Sequence, residues 1–140
     1  MSKIAVVYWS GTGNTEAMAN AVADGAKNAG ADVTMYPASE FSASMVDEFD
    51  AIAFGCPAMG AEVLEEEEFE PMFQDCESKL SGKKLALFGS YGWGDGEWMR
   101  NWEETCRNDG ANLACDSVIC QDTPDDDAEA DCRSLGAALA

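Results

Sequence analysis

Tyr8–Met18 reads YWSGTGNTEAM. The four residues before it, IAVV, are an apolar run of strand type, and a helical pattern begins directly after it. A loop of Ser, Gly, Thr and Asn between a strand and a helix is either an ordinary turn with a helix cap or a cradle for an anion. Backbone amides at a helix N-terminus, with glycines that permit close approach, make a phosphate site. Around Gly11 and Gly13, the residues Ser10, Thr12 and Thr15 add hydroxyl donors, and Asn14 adds an amide donor.

What the loop lacks narrows the choice of anion. It holds no Lys or Arg, and the GK[ST] ending of an ATP-type phosphate loop is missing. Gly11-Thr12-Gly13 begins like a dinucleotide fingerprint, but Glu16 stands at its third glycine position. The acid expected near the end of the second strand is absent too, since that region reads MYPAS. A receiver domain needs an acidic cluster after the first strand, where this chain has Ser10. A cysteine phosphatase loop needs an Arg soon after its Cys, and CPAMGAEV after Cys56 has none. A phosphomonoester held by neutral donors remains, with the plain capped turn as its competitor.

Working outward, short apolar segments alternate with helical patterns. Residues 3–9, 32–36, 50–55, 83–89 and 112–119 are rich in Val, Ile, Leu and Phe. Four of them are nearly continuous in apolarity, as expected for parallel strands covered on both faces. Helices are predicted over 15–29, ending at Gly30, and over 69–80 and 98–108. A last helix is predicted to start at Thr123-Pro124, with Asp125, Asp126 and Asp127 in its first turn, where the macrodipole favours carboxylates. The spacing of a calcium loop is absent there. Five strands alternating with helices predict a doubly wound α/β sheet in a single domain over 1–140, without repeats or linkers. Ligands of such folds bind outside the carboxyl ends of the strands. The loops to inspect are therefore 10–15, 56–62, 90–96 and 121–123.

Composition sets the outer bounds. At 140 residues the chain is long enough to bury a real core. Against 27 Asp and Glu stand 8 Lys and Arg, so the formal charge is −19. Nucleic acid and an acidic membrane surface are poor partners for such a surface, whereas a basic protein is attracted to it. MSK leads directly into the first strand, so no export signal is expected, and no apolar run approaches the ~20 residues that span a bilayer. The six cysteines form no CxxC pair and the chain has no histidine, which argues against zinc and iron–sulfur sites. Reduced, mostly buried thiols in a cytoplasmic protein are the expectation.

The other two loops decide between anion cradle and plain turn. PAMGAE (Pro57–Glu62) offers a thioether at Met59, a flexible peptide at Gly60 and a carboxylate at Glu62. SYGWGDG (Ser90–Gly96) frames the indole of Trp93 with Gly92 and Gly94. A Trp between glycines in an exposed loop serves a core poorly but can lie flat on a planar aromatic ligand. Met59 can pack the opposite face, because sulfur contacts aromatic rings favourably. Trp98 and Trp102, at i and i+4 on a helix, are expected to be packing residues. A phosphate at one end and a flat ring between Met and Trp at the other describe FMN.

In YWSGTGNTEAM, GCPAMG and ALFGSYGWGDGEWM the chain resembles the short-chain flavodoxins of clostridial type, and the likeness runs end to end. The fifth strand, ANLACDSVICQD, carries no long insertion. The resemblance implies a five-stranded parallel sheet of order 2-1-3-4-5 and a low-potential, one-electron carrier with non-covalent FMN. Such a carrier turns over no substrate and works mainly between the flavin semiquinone and hydroquinone.

It also implies roles. Ser10, Gly11, Thr12, Gly13, Asn14 and Thr15 would hold the phosphate. Met59, with Pro57 and Ala58, would cover the inner ring face, and Trp93, beside Gly94, the outer. Glu62 would accept from the ring N3–H, and the Gly60 carbonyl would turn toward N5–H on reduction. Ser90, Tyr91 and Gly92 would line the phosphate side and pyrimidine edge. Ala61 tolerates positive φ less well than Gly or Asn, which bears on the depth of the potential shift.

Acids around the mouth, namely Glu62, Glu65 to Glu68, Asp95 and Glu97, read either as a docking ring for basic redox partners of a monomer or as a generic solvated surface. The alternative on this fold is an FMN-dependent NAD(P)H or quinone oxidoreductase, which Trp93 over the outer face would obstruct.

Overall fold

The computed structural model describes residues 2–60 and 62–140; the expectation at Ala61 lies outside them. The apolar runs form strands β1 (Lys3–Tyr8), β2 (Asp32–Pro37), β3 (Ala51–Gly55), β4 (Lys84–Tyr91), β5 (Asn112–Leu113) and β6 (Val118–Gln121). The helices are α1 (Asn14–Asn28), α2 (Ala43–Val46), α3 (Phe69–Cys76), α4 (Glu97–Asn108) and α5 (Asp126–Leu139). The strands are all parallel in the order β2-β1-β3-β4-β5, with β6 also on β4.

Alternation along each central strand divides its side chains between two cores. Ala5, Val7, Ile52, Phe54, Leu85 and Leu87 face one side, which α3 and α4 cover with Phe69, Phe73, Trp98 and Trp102. Ile4, Val6, Ala51, Ala53, Ala86 and Phe88 face the other, under Met18, Val22, Cys132 and Leu135 of α1 and α5. These two helices meet almost backbone to backbone. A Cβ on Gly25 would strike the Arg133 carbonyl, and one on Gly136 would strike that of Val22. Trp98 and Trp102 are 2% and 3% exposed, as packing residues should be.

The structure corrects two boundaries. The expected strand over 112–119 is broken, because β4 runs three residues from Leu85 to Phe88 while its partners run five, from Leu113 to Val118. The two extra residues fall in the polar triplet Cys115-Asp116-Ser117, which leaves the ladder; Ser117 Oγ instead donates to Glu103 Oε2 at 2.7 Å. The last helix begins later than Thr123-Pro124. Asp125 is its cap, its Oδ1 accepting from the Ala128 N–H at 2.8 Å, because a carboxylate two residues closer to the helix outcompetes the hydroxyl. Thr123 Oγ1 turns to Asn14 Oδ1 instead, at 3.3 Å. Helix α2 and a 3₁₀ turn over Ala38–Glu40 were not legible in the periodicity.

All six cysteines are free thiols, and Cys56, Cys76, Cys106 and Cys132 are buried. Burial, the leading cause, pushes the Cys76, Cys106 and Cys132 thiols up to about 12, so none is a ready nucleophile. Among the described residues no helix is long and apolar enough to cross a membrane, and no cluster of His, Cys, Asp and Glu is placed to hold a metal.

Candidate functional site

At the carboxyl ends of β1, β3 and β4 a cleft of about 220 Å³ opens. From the first loop it is lined by Gly11, Thr12 and Asn14, from the second by Pro57, Ala58 and Met59, and from the third by Ser90, Tyr91 and Gly92. Three loops distant in sequence converge because parallel strands all end on the same side of the sheet. No Lys or Arg lines the cleft.

Helix α1 starts at a left-handed Gly13 (φ 94°), and its first intrahelical bond runs from the Ala17 N–H to Gly13 O at 3.0 Å. The N–H groups of Asn14 and Thr15 therefore precede the ladder. Ser10 does not line the cleft; its Oγ accepts from the Gly13 and Glu16 N–H groups at 3.1 and 3.2 Å and so holds the loop in shape. Thr15, 1% exposed, shares a 3.0 Å hydrogen bond with Ser90 Oγ and ties the first loop to the third.

The second loop is anchored along its length. The Cys56 and Ala58 N–H groups donate to Phe88 O and Ser90 O at 3.1 and 3.0 Å. Met59 and Val63 exchange both backbone hydrogen bonds, at 2.8 and 3.0 Å, so Gly60 (φ 46°) and Glu62 (φ 56°) stand in the tip beyond that clamp. A non-glycine residue holds such a backbone only where its surroundings fix it. The Glu62 carboxylate packs on Gly94, whose missing Cβ leaves it the space. Glu62 Oε1 is enclosed there and has no hydrogen-bond partner among the described residues.

Trp93 is 64% exposed on the third loop. It does not line the cleft, and neither do Gly94 and Glu62; Glu62 lines a second pocket with Val63, Leu64 and Trp98. A Trp flanked by glycines has no neighbouring side chains to draw it inward.

One member of the expected docking ring belongs elsewhere. Glu65 is 6% exposed, and its carboxylate accepts from the Glu67, Glu68 and Phe69 N–H groups at 2.7–2.8 Å, capping α3. Its own N–H donates to Cys56 Sγ at 3.3 Å, closing the second loop onto its start. Burial pushes the Glu65 carboxyl up, but the three N–H groups outweigh it and hold the group below the usual range. Glu66, Glu67, Glu68, Asp95 and Glu97 remain exposed.

Two lining residues went unnamed in the sequence. Trp9 ends the first strand segment, and its Nε1 donates to Glu68 Oε1 at 3.1 Å. Asp122 lies in the flagged stretch 121–123, and its signal is backbone, a left-handed φ of 59° that residue types do not disclose.

Comparison with known proteins follows the same line. The sequence model of the flavodoxin family matches residues 6–135. The chain is 48% identical to a flavodoxin of Clostridium beijerinckii over 135 residues, 96% of this chain and 97% of that one. It is 47% identical to a flavodoxin of Megasphaera elsdenii over 137 residues, 98% of each. The solution structure of two-electron reduced Megasphaera elsdenii flavodoxin matches it with a TM-score of 0.89, covering 97% of each chain. The chain belongs to the flavodoxin family, among its short-chain members.

Proposed function

We propose that this chain carries electrons one at a time at low potential on non-covalently bound FMN, working mainly on the more reducing of the flavin's two couples. FMN is the cofactor of the family, and bound FMN supplies a group that takes up and releases single electrons. The observation that carries the reading is Glu62 Oε1, an enclosed acceptor without a partner in the loop that meets the Trp93 loop. An unmade hydrogen bond to a buried acceptor costs about 1–3 kcal/mol. A ligand ring N–H would recover it.

The remaining roles follow the chemistry of the donors. Gly11, Thr12 and Asn14, ahead of the α1 ladder and without a cation, suit a phosphomonoester. Met59, half-buried in the cleft, would cover one ring face and Trp93 the other. Gly60, beyond the Met59–Val63 clamp, would offer its carbonyl to a ring N–H on reduction. Glu62 and the net charge of −19 oppose each added electron, which lowers the potential.

A carrier with this charge suits basic redox partners, and the rate of transfer to them falls as salt is added. Trp93, once laid over the outer ring face, would obstruct a second substrate there, which argues against the oxidoreductase alternative. The test is titration of the apoprotein with FMN and with riboflavin, followed by flavin fluorescence. One FMN bound per chain, far more tightly than riboflavin, is the expected result. Equal affinity for the two would move the phosphate out of the first loop.

A further inference from the structure

The Trp93 loop has little of its own to fix its shape. Gly92 and Gly94 flank the indole, and Gly94 and Gly96 are left-handed at φ 87° and 91°. Freedom that a loop must give up on binding weakens the binding. Gln121 Nε2 donates to Gly92 O at 3.3 Å at the start of the loop, and a second side chain reaches its other end from the first turns of α4. Arg100 Nη1 donates to Asp95 O at 3.0 Å, and Arg100 Nη2 donates to Asp95 Oδ1 at 3.0 Å. The Arg100 N–H also bonds to Gly96 O, the cap of α4, at 3.2 Å. Asp95 is thus gripped at both backbone and side chain by a single planar group, two residues beyond Trp93.

We propose that Arg100 is a positioning residue for the cofactor site: its guanidinium fork fixes Asp95 and so presets the Trp93 loop to receive the ring. The inference rests on the FMN reading above. Arg100 does not touch the cofactor; it acts through the loop. Two features of the geometry separate this role from a general charge effect. Lysine keeps the charge, but a compact ammonium cannot reproduce the two-pronged contact. Asp95→Asn keeps the bond to the backbone carbonyl, so it should be milder than any change at Arg100.

The experiment compares wild type, Arg100→Lys, Arg100→Met and Asp95→Asn. Amide hydrogen exchange is measured on each apoprotein, and FMN affinity by fluorescence titration at one salt concentration. Both Arg100 variants should lose FMN affinity about two- to five-fold, the worth of one exposed ion pair. Lysine should be no better than methionine, and Asp95→Asn should lie between them and wild type. Exchange of the Met99 and Arg100 N–H groups, which donate to Gly96 O, should be faster in both Arg100 variants, with the rest of the chain unchanged. A lysine variant that matches wild type would replace the fork by a charge effect and overturn the inference. So would unaltered exchange at these two amides. Wild-type protein that takes up no FMN would sink the cofactor reading instead, while the exchange data would still judge the clamp.

Discussion

At the scale of single residues, Glu62 combines the features that matter: a left-handed backbone, a carboxylate seated on Gly94 and an oxygen with no partner. Replacing it by Gln preserves shape and removes charge, so two effects separate. A charge-assisted acceptor becomes a neutral one, and oxidised FMN should bind more weakly. The carboxylate no longer opposes added electrons, so the more reducing couple should become less negative by tens of millivolts, at ~59 mV per tenfold change in relative affinity. Potentiometry of Glu62→Gln and wild type at one pH measures the shift. An unchanged or more negative value would place Glu62 away from the ring. Residue type and glycine context single out Glu62 and Trp93 in the sequence. Trp9 and Asp122 were not legible there, since one reads as the end of a strand and the other is distinguished only by its φ.

At the scale of elements, the N-terminus of α3 shows where sequence pattern misleads. Four glutamates in a row, Glu65 to Glu68, read as a solvated face. The chain turns into a helix there, and the first of the four is drawn inside to satisfy three backbone N–H groups. Glu65→Gln keeps one carbonyl acceptor and turns an NH₂ toward donors, so it should cost about 1–3 kcal/mol of stability at neutral pH. The sign with pH follows from a folded-state pKa held below the ordinary Glu value of ~4.3. The carboxylate's contribution is complete above that value and is lost as pH falls through the folded pKa. Thermal melts of both proteins should therefore differ at pH 7 and converge in acid. A gap that persists undiminished at low pH would show that the carboxylate charge is not what stabilises the loop. The broken fifth strand and the Asp125 cap belong to the same scale: element identity was readable from apolar runs, whereas their edges depended on competition between neighbouring polar groups.

For the molecule as a whole, the two-sided burial of the sheet and the meeting of three loops at one end follow from continuous apolar runs and parallel connections, and the strand order from the family resemblance. Those features were legible before any coordinates. The pose of the Trp93 loop was not, because a glycine-framed segment takes its shape from contacts such as Arg100 with Asp95. The proposed carrier takes up the flavin's electrons in two separate steps, of which the second is strongly reducing. Anaerobic potentiometric titration of the FMN-loaded chain, followed by visible absorbance, tests this most directly. Two resolved one-electron waves are expected, with a long-wavelength band present only near half reduction and the second wave well below the potential of free FMN. A single two-electron wave, or a second wave at or above that of free FMN, would contradict the account.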